Sequence, residues 1–290
     1  MIDQIMIKEA LTSGLEPLTI KKQPVFASNG NPEPIAYRTE MILNSTLLGA
    51  LTPDDYRMTA DKTARGILLS DRLMSDVVKA IEALEKTEPQ VKWISVSCPL
   101  TMITKTDLVA ALGKLFDGDE NRRSKLMLEF PAKALYEDPE TLKETLMEMK
   151  LLKVKSALAG YGNEYCPMMR LASFPFDYVI LDPCVRELML KDQKAAETLI
   201  SYARSLRIEV VATGIENGEA ESPAYYKADC FGFTDNTEKQ PLLPEESIKL
   251  TPDMLIRYYA EKLKEADAET EKNTAPEPSD GSGREEPDQE

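Results

Sequence analysis

The chain has 290 residues, 42% of them hydrophobic and 29% charged, a composition that suits a folded globular protein with a sizeable core. Its net charge is −15, with ten acids and two bases between residues 265 and 290, so no nucleic-acid partner is expected, because phosphate contacts need clustered cations. There is no histidine, which excludes Ser-His-Asp and Cys-His nucleophilic sites and histidine metal sites, and leaves any catalysis to carboxylates, lysine or a carboxylate-bound metal.

No apolar run approaches the roughly 20 residues that span a bilayer. The first fourteen residues carry acids where a secretory signal would carry bases. The four cysteines stand singly, as free thiols of a reducing compartment do. These features together predict a cytoplasmic chain without a membrane partner.

In chain order, residues 1–17 are a lead-in. Leu18 to Ala27 is a strand candidate, the Ser28-Asn-Gly-Asn-Pro-Glu cluster a turn, and Ile35 to Leu43 the second arm of a hairpin. From Thr52 to Lys86 the pattern turns helical, with Met74, Val77, Val78, Ile81 and Leu84 on one apolar stripe. Lys92 to Cys98 reads as a strand, Thr106-Asp107 as the cap of a helix to Phe116, Lys125 to Phe130 as a strand, and Pro139 to Leu152 as a helix. Val154 to Ala159 is a strand running into Gly160 and Gly162. A brief helical segment then closes at Phe174 before Pro175, and Phe176 to Leu181 reads as a buried parallel strand. One long helix is expected from Val185 to Leu206, a strand from Ile208 to Ala212, and a closing helix from Pro252 to about Glu265. Short strands alternating with amphipathic helices predict an α/β, TIM-like (β/α)8-type barrel over residues 18–265. Residues 266–290 are acidic and rich in Pro, Ser and Gly, and are expected to be a disordered tail.

The stretch ALAGYGNEY followed by LASFPFDYVILD resembles the EAL-domain family of cyclic di-GMP phosphodiesterases, and the likeness runs over roughly residues 18 to 235. Gly162, Tyr165, Leu171, Pro175, Asp177, Tyr178 and Asp182 stand where that family keeps its scaffold letters, and Gln23-Pro24 match its opening. The resemblance implies two-metal phosphodiester hydrolysis at the mouth of the barrel. It also marks where this chain departs. Arg38 stands at the metal-binding glutamate of the name-giving motif, Ser97 at an asparagine ligand, Ala159 and Gly160 at paired aspartates, Ile180 at a lysine and Thr213 at a further glutamate. The family's phosphate-contacting arginine is replaced by Ile42. Glu129, Asp182 and Glu216 remain as residual acids, with Phe231 and Tyr161 placed near the same rim. On that contrast the chain is expected to be no enzyme and to hold no metal or other cofactor. It would bind an unidentified protein partner in bacterial signalling or regulation, a homodimer being left open. A metal-independent cyclic di-GMP receptor is the alternative, and an active phosphodiesterase the least favoured reading.

Overall fold

A computed structural model describes residues 18–45, 48–53, 55–56, 64–166 and 168–243. The lead-in, the closing helix expected from Pro252 and the acidic tail lie outside the described residues. Among the described residues ten strands make one sheet. They are β1 (Leu18–Ala27), β2 (Pro34–Ser45), β3 (Gly49–Leu51), β4 (Ile94–Ser97), β5 (Leu126–Pro131), β6 (Lys155–Tyr161), β7 (Tyr178–Leu181), β8 (Glu209–Ala212), β9 (Gly232–Phe233) and β10 (Gln240–Pro241). Neighbours from β2 through β4, β5, β6, β7 and β8 to β9 pair in parallel. β1 lies antiparallel between β2 and β9 and closes eight strands into a barrel, while β3 and β10 pair at its side. The expected (β/α)8-type barrel is therefore present, with its first strand reversed.

Alternation builds two cores. On β5, Leu126, Leu128 and Phe130 face outward and are fully buried beneath the helices, each such side chain contributing about 1.5–3 kcal/mol of burial. Met127, between them, faces inward and joins Val25, Ala36, Trp93, Ala157, Tyr178, Ile180 and Val211 in the barrel interior. The floor of that interior is aromatic. Phe231 stacks on Trp93 with centroids 5.9 Å apart and meets Tyr178 edge-on at 5.3 Å. These residues lie at the N-terminal ends of their strands, so Phe231 belongs to the floor and not to the mouth.

Several helices start on side-chain caps. Asp107, Asp138, Asp182, Asp192 and Asn217 each accept a bond from a backbone N–H of the first turn. Asp192 explains why the single helix expected over Val185 to Leu206 is two, Pro183–Lys191 and Gln193–Ser205. At φ −145° its backbone leaves the helix, and its carboxylate caps the second segment at Ala195.

Three strands are launched by the same device. After the helices Pro139–Leu151, Gln193–Ser205 and Gly218–Lys227, the residues Lys153, Arg207 and Asp229 adopt left-handed φ of 65°, 63° and 62°. The following N–H groups of Val154, Ile208 and Cys230 reach back to Met149, Ala203 and Tyr225, closing each helix in a Schellman motif. None of the three is glycine, the residue that fits this conformation at least cost. Lys153→Gly is therefore expected to stabilise the protein by up to about 1 kcal/mol, read as a raised denaturation midpoint.

Candidate functional site at the barrel mouth

The C-terminal ends of the parallel strands form the mouth. Inward parity carries Arg38 on β2, Ser95 and Ser97 on β4, Glu129 on β5, Ala159 on β6 and Ile180 on β7 to the inner face on successive levels, where Arg38 pairs with Ser95, Ser97 with Glu129 and Ala159 with Ile180. Asp182 and Thr213 follow at the ends of β7 and β8. The departures from the family pattern thus gather at one end of the barrel.

Arg38 and Glu129 dominate this end. The guanidinium donates from Nε to Oε1 at 2.9 Å and from Nη2 to Oε2 at 2.7 Å, a two-pronged pair reaching past β4 from β2 to β5. The Ser95 hydroxyl donates to the same Oε1, and Thr39 bonds the Ser95 carbonyl. Glu129 is 6% exposed, and burial of this kind is tolerated because a cation and a hydroxyl hold its oxygens. Arg38, at the position of the family's metal-binding glutamate, is thus ion-paired with the carboxylate that remains on β5.

The other residual acids are engaged elsewhere. Asp182 caps Cys184 with one oxygen and accepts from Asn163 Nδ2 at 3.2 Å with the other. Glu216 is exposed and accepts from Arg186 at 2.9 Å, beside the Arg186–Glu221 pair. Arg186 holds the Glu221 carboxyl below its ordinary range, with neighbouring backbone N–H groups adding to the effect. Thr213 is buried, and its hydroxyl donates to the Leu181 carbonyl, tying β8 to β7. Among the described residues no three Cys, Asp or Glu side chains form a group that could hold a metal ion. A guanidinium locked on the central carboxylate and a set of Ser, Ala, Gly and Thr do not suit a pair of divalent cations, which need clustered oxygen anions.

Gly160 explains the placing of Tyr161. At φ +83° it breaks the β6–β7 register between Ala159 and Tyr161, turning the Tyr161 ring out of the barrel. There Tyr161 is completely buried, with its hydroxyl donating to the Leu199 carbonyl, and burial raises its phenol pKa. Neither Tyr161 nor Phe231 therefore lines the rim, contrary to the expectation from sequence. The rim carries other aromatics. Tyr136 (47% exposed) follows β5, and Tyr165 (47%) and Met169 (78%) follow β6. Lys133 lies 5.6 Å from the Tyr165 ring centre, and the Arg170 guanidinium 4.6 Å from that of Tyr136. Tyr165 is one of the family's scaffold letters. Tyr136 and Met169 carry no motif and no periodic signal; Tyr136 meets Arg170, and the Met169 sulfur accepts from the Tyr202 hydroxyl at 3.9 Å.

Cys98, Cys166 and Cys230 are buried and Cys184 is exposed. Partial burial and then Asp182 push the Cys184 thiol up to about 11. In the native protein Cys184 alone is expected to react with iodoacetamide, slowly at pH 8 and faster as pH rises toward that value, as mass spectrometry of the labelled peptides would show.

Residues 7–223 match the family described as the EAL domain, and the chain belongs to it. It is 20% identical over 177 residues to the cyclic di-GMP phosphodiesterase PdeR of Escherichia coli, covering 60% of this chain and 27% of that protein. It is 32% identical over 99 residues to an uncharacterized signaling protein of Caulobacter vibrioides, covering 33% of this chain and 12% of that one. The chain thus spans about a quarter or less of the curated relatives it matches. Among solved structures, the PaMucR phosphodiesterase in complex with c-di-GMP superposes with a TM-score of 0.71 at 16% identity, over 85% of this chain and 100% of that one. These matches correct the expectation that the chain stands outside the enzymes, because the proteins it matches include cyclic di-GMP phosphodiesterases. The physical reason is that membership is carried by strand register, glycine turns and inward–outward alternation. All of these survive here, whereas the expectation rested on a few side chains at the mouth. Among the described residues no helix is long and apolar enough to cross a membrane.

Proposed function

We propose that this EAL-domain chain acts in signalling by docking a protein partner on the rim of its barrel mouth, at Tyr136, Tyr165 and Met169. The observation that carries the reading is the exposure of these three large side chains on the segments that follow β5 and β6, two of them braced by Lys133 and Arg170. Rigid aromatics and methionine flanked by cations are the side chains that anchor protein interfaces. The Arg38–Glu129 pair supports the same reading, since it commits the central carboxylate of the mouth to a side chain. The experiment is capture of partners from native lysate, with identification by mass spectrometry. A partner retained by the parent chain and lost on Tyr136→Ser with Met169→Ser is expected, and both changes are at exposed positions that should leave folding intact. Calorimetry with cyclic di-GMP, with and without Mg²⁺, and a turnover assay accompany it. A dissociation constant of a few micromolar, about 8 kcal/mol of binding, would make the nucleotide the ligand and overturn the proposal.

A further inference from the structure

At the opposite end of the barrel, a cavity of about 920 Å³ opens between helix Pro139–Leu151 and the segments that lead into β7 and β8. Its wall carries four cations, Lys143, Lys150, Lys155 and Arg207, against two acids, Asp177 and Glu209, in a chain whose net charge is −15. The acids are already engaged. Asp177 lies 3.6 Å from Lys150 and accepts from the Ser156 N–H and hydroxyl, and Glu209 is paired with Arg204. Lys155 donates to the Ser124 carbonyl at 2.6 Å. Among the described residues Lys143 and Arg207 have no ion-pair partner, and both are exposed. Behind the charges the wall is apolar, with Leu171, Phe174 and Phe176 buried in it and Met147 51% exposed beside the opening.

The geometry points to this floor cavity as a binding site for a phosphorylated small molecule of nucleotide size, its phosphates on Lys143 and Arg207 and its ring against the half-exposed Met147. The volume lies within the range of small-ligand pockets. Exposed cations alone are common, but here Lys143 and Arg207 edge a cavity of ligand size with Met147 51% exposed beside them, the pairing of charge and apolar surface that such a molecule needs. The inference does not rest on the rim reading, since the two sites occupy opposite ends of the strands.

ADP, inorganic pyrophosphate and adenosine are the probes, titrated calorimetrically into the full chain at low salt. Saturable ADP binding with a dissociation constant on the order of 100 μM or tighter is expected, with pyrophosphate weaker and adenosine weaker still. Lys143→Ala with Arg207→Gly should weaken ADP binding on the order of tenfold. Both changes are kind to the fold, since alanine suits an exposed helical position and glycine suits φ 63° at residue 207. A melting temperature no lower than that of the parent chain would show that the loss is one of binding. No saturation by about 1 mM ADP, binding undiminished in the double variant, or adenosine binding as well as ADP would each overturn the proposal.

Discussion

Arg38→Ala is expected to cost about 3 kcal/mol of folding free energy, because it leaves the buried Glu129 carboxylate without the guanidinium that accompanies it. The carboxylate is 6% exposed and receives two bonds from Arg38, at 2.9 and 2.7 Å. The Ser95 hydroxyl remains after the change, but a hydroxyl does not replace a full charge. In a domain of this size the loss corresponds to a fall of about 10 °C in melting temperature. Arg38→Leu combined with Glu129→Leu is the informative control. Removing both charges and refilling the space with apolar volume should return most of the stability, since a buried pair is costly chiefly when half of it is left behind. Equal instability of the single and double variants by urea denaturation would mean that packing at the mouth, and not the charge pair, sets the cost.

Much of the barrel was legible in the sequence. The hairpin β1–β2, the strands ending at Ser97 and Pro131, and the run into Asp182 all show as short β-branched or aromatic stretches bounded by turn residues. Their edges shifted by one to three residues, as with Phe176 and Asp177, which precede β7 where an almost wholly apolar run suggested strand. The break at Asp192 was harder to see, because an aspartate within an apolar-periodic run looks like a solvated helix position until its carboxylate is found on Ala195. The non-glycine left-handed caps at Lys153, Arg207 and Asp229 carry no sequence signal at all, since the long-range strand pairing imposes them. At the mouth, the substituted positions could be counted from sequence, but the destination of Arg38 could not. Its pairing with Glu129 joins residues 91 apart and depends on the register of β2 against β4 and of β4 against β5. The floor position of Phe231 was hidden for a similar reason. Whether a residue near a strand end faces mouth or floor depends on where the strand begins, and β9 begins only at Gly232.

Gly162→Ala is expected to be as damaging, at about 4 kcal/mol, and it tests the turn that carries the chain from β6 to the following helix. Two independent penalties combine there. The backbone stands at φ +99°, where a side chain costs about 1–3 kcal/mol. An added Cβ would also lie 2.4 Å from Val185 Cγ2 and 2.9 Å from Leu199 Cδ2, well inside contact distance, and relieving such overpacking costs a further 1–3 kcal/mol or so. Val185 is 1% exposed on helix Pro183–Lys191, so it has little room to retreat. The two penalties can be separated by a double-mutant cycle with Val185→Ala, which removes the nearest methyl groups. Val185→Ala alone should destabilise through the cavity it opens, yet in the Gly162→Ala background its cost should shrink or reverse by about 1 kcal/mol or more, because the vacated space receives the new methyl. Strictly additive costs would place the whole penalty in the left-handed backbone. A loss below about 1 kcal/mol for Gly162→Ala would show that the turn relaxes freely and that the close packing of Val185 and Leu199 over it contributes little to the fold.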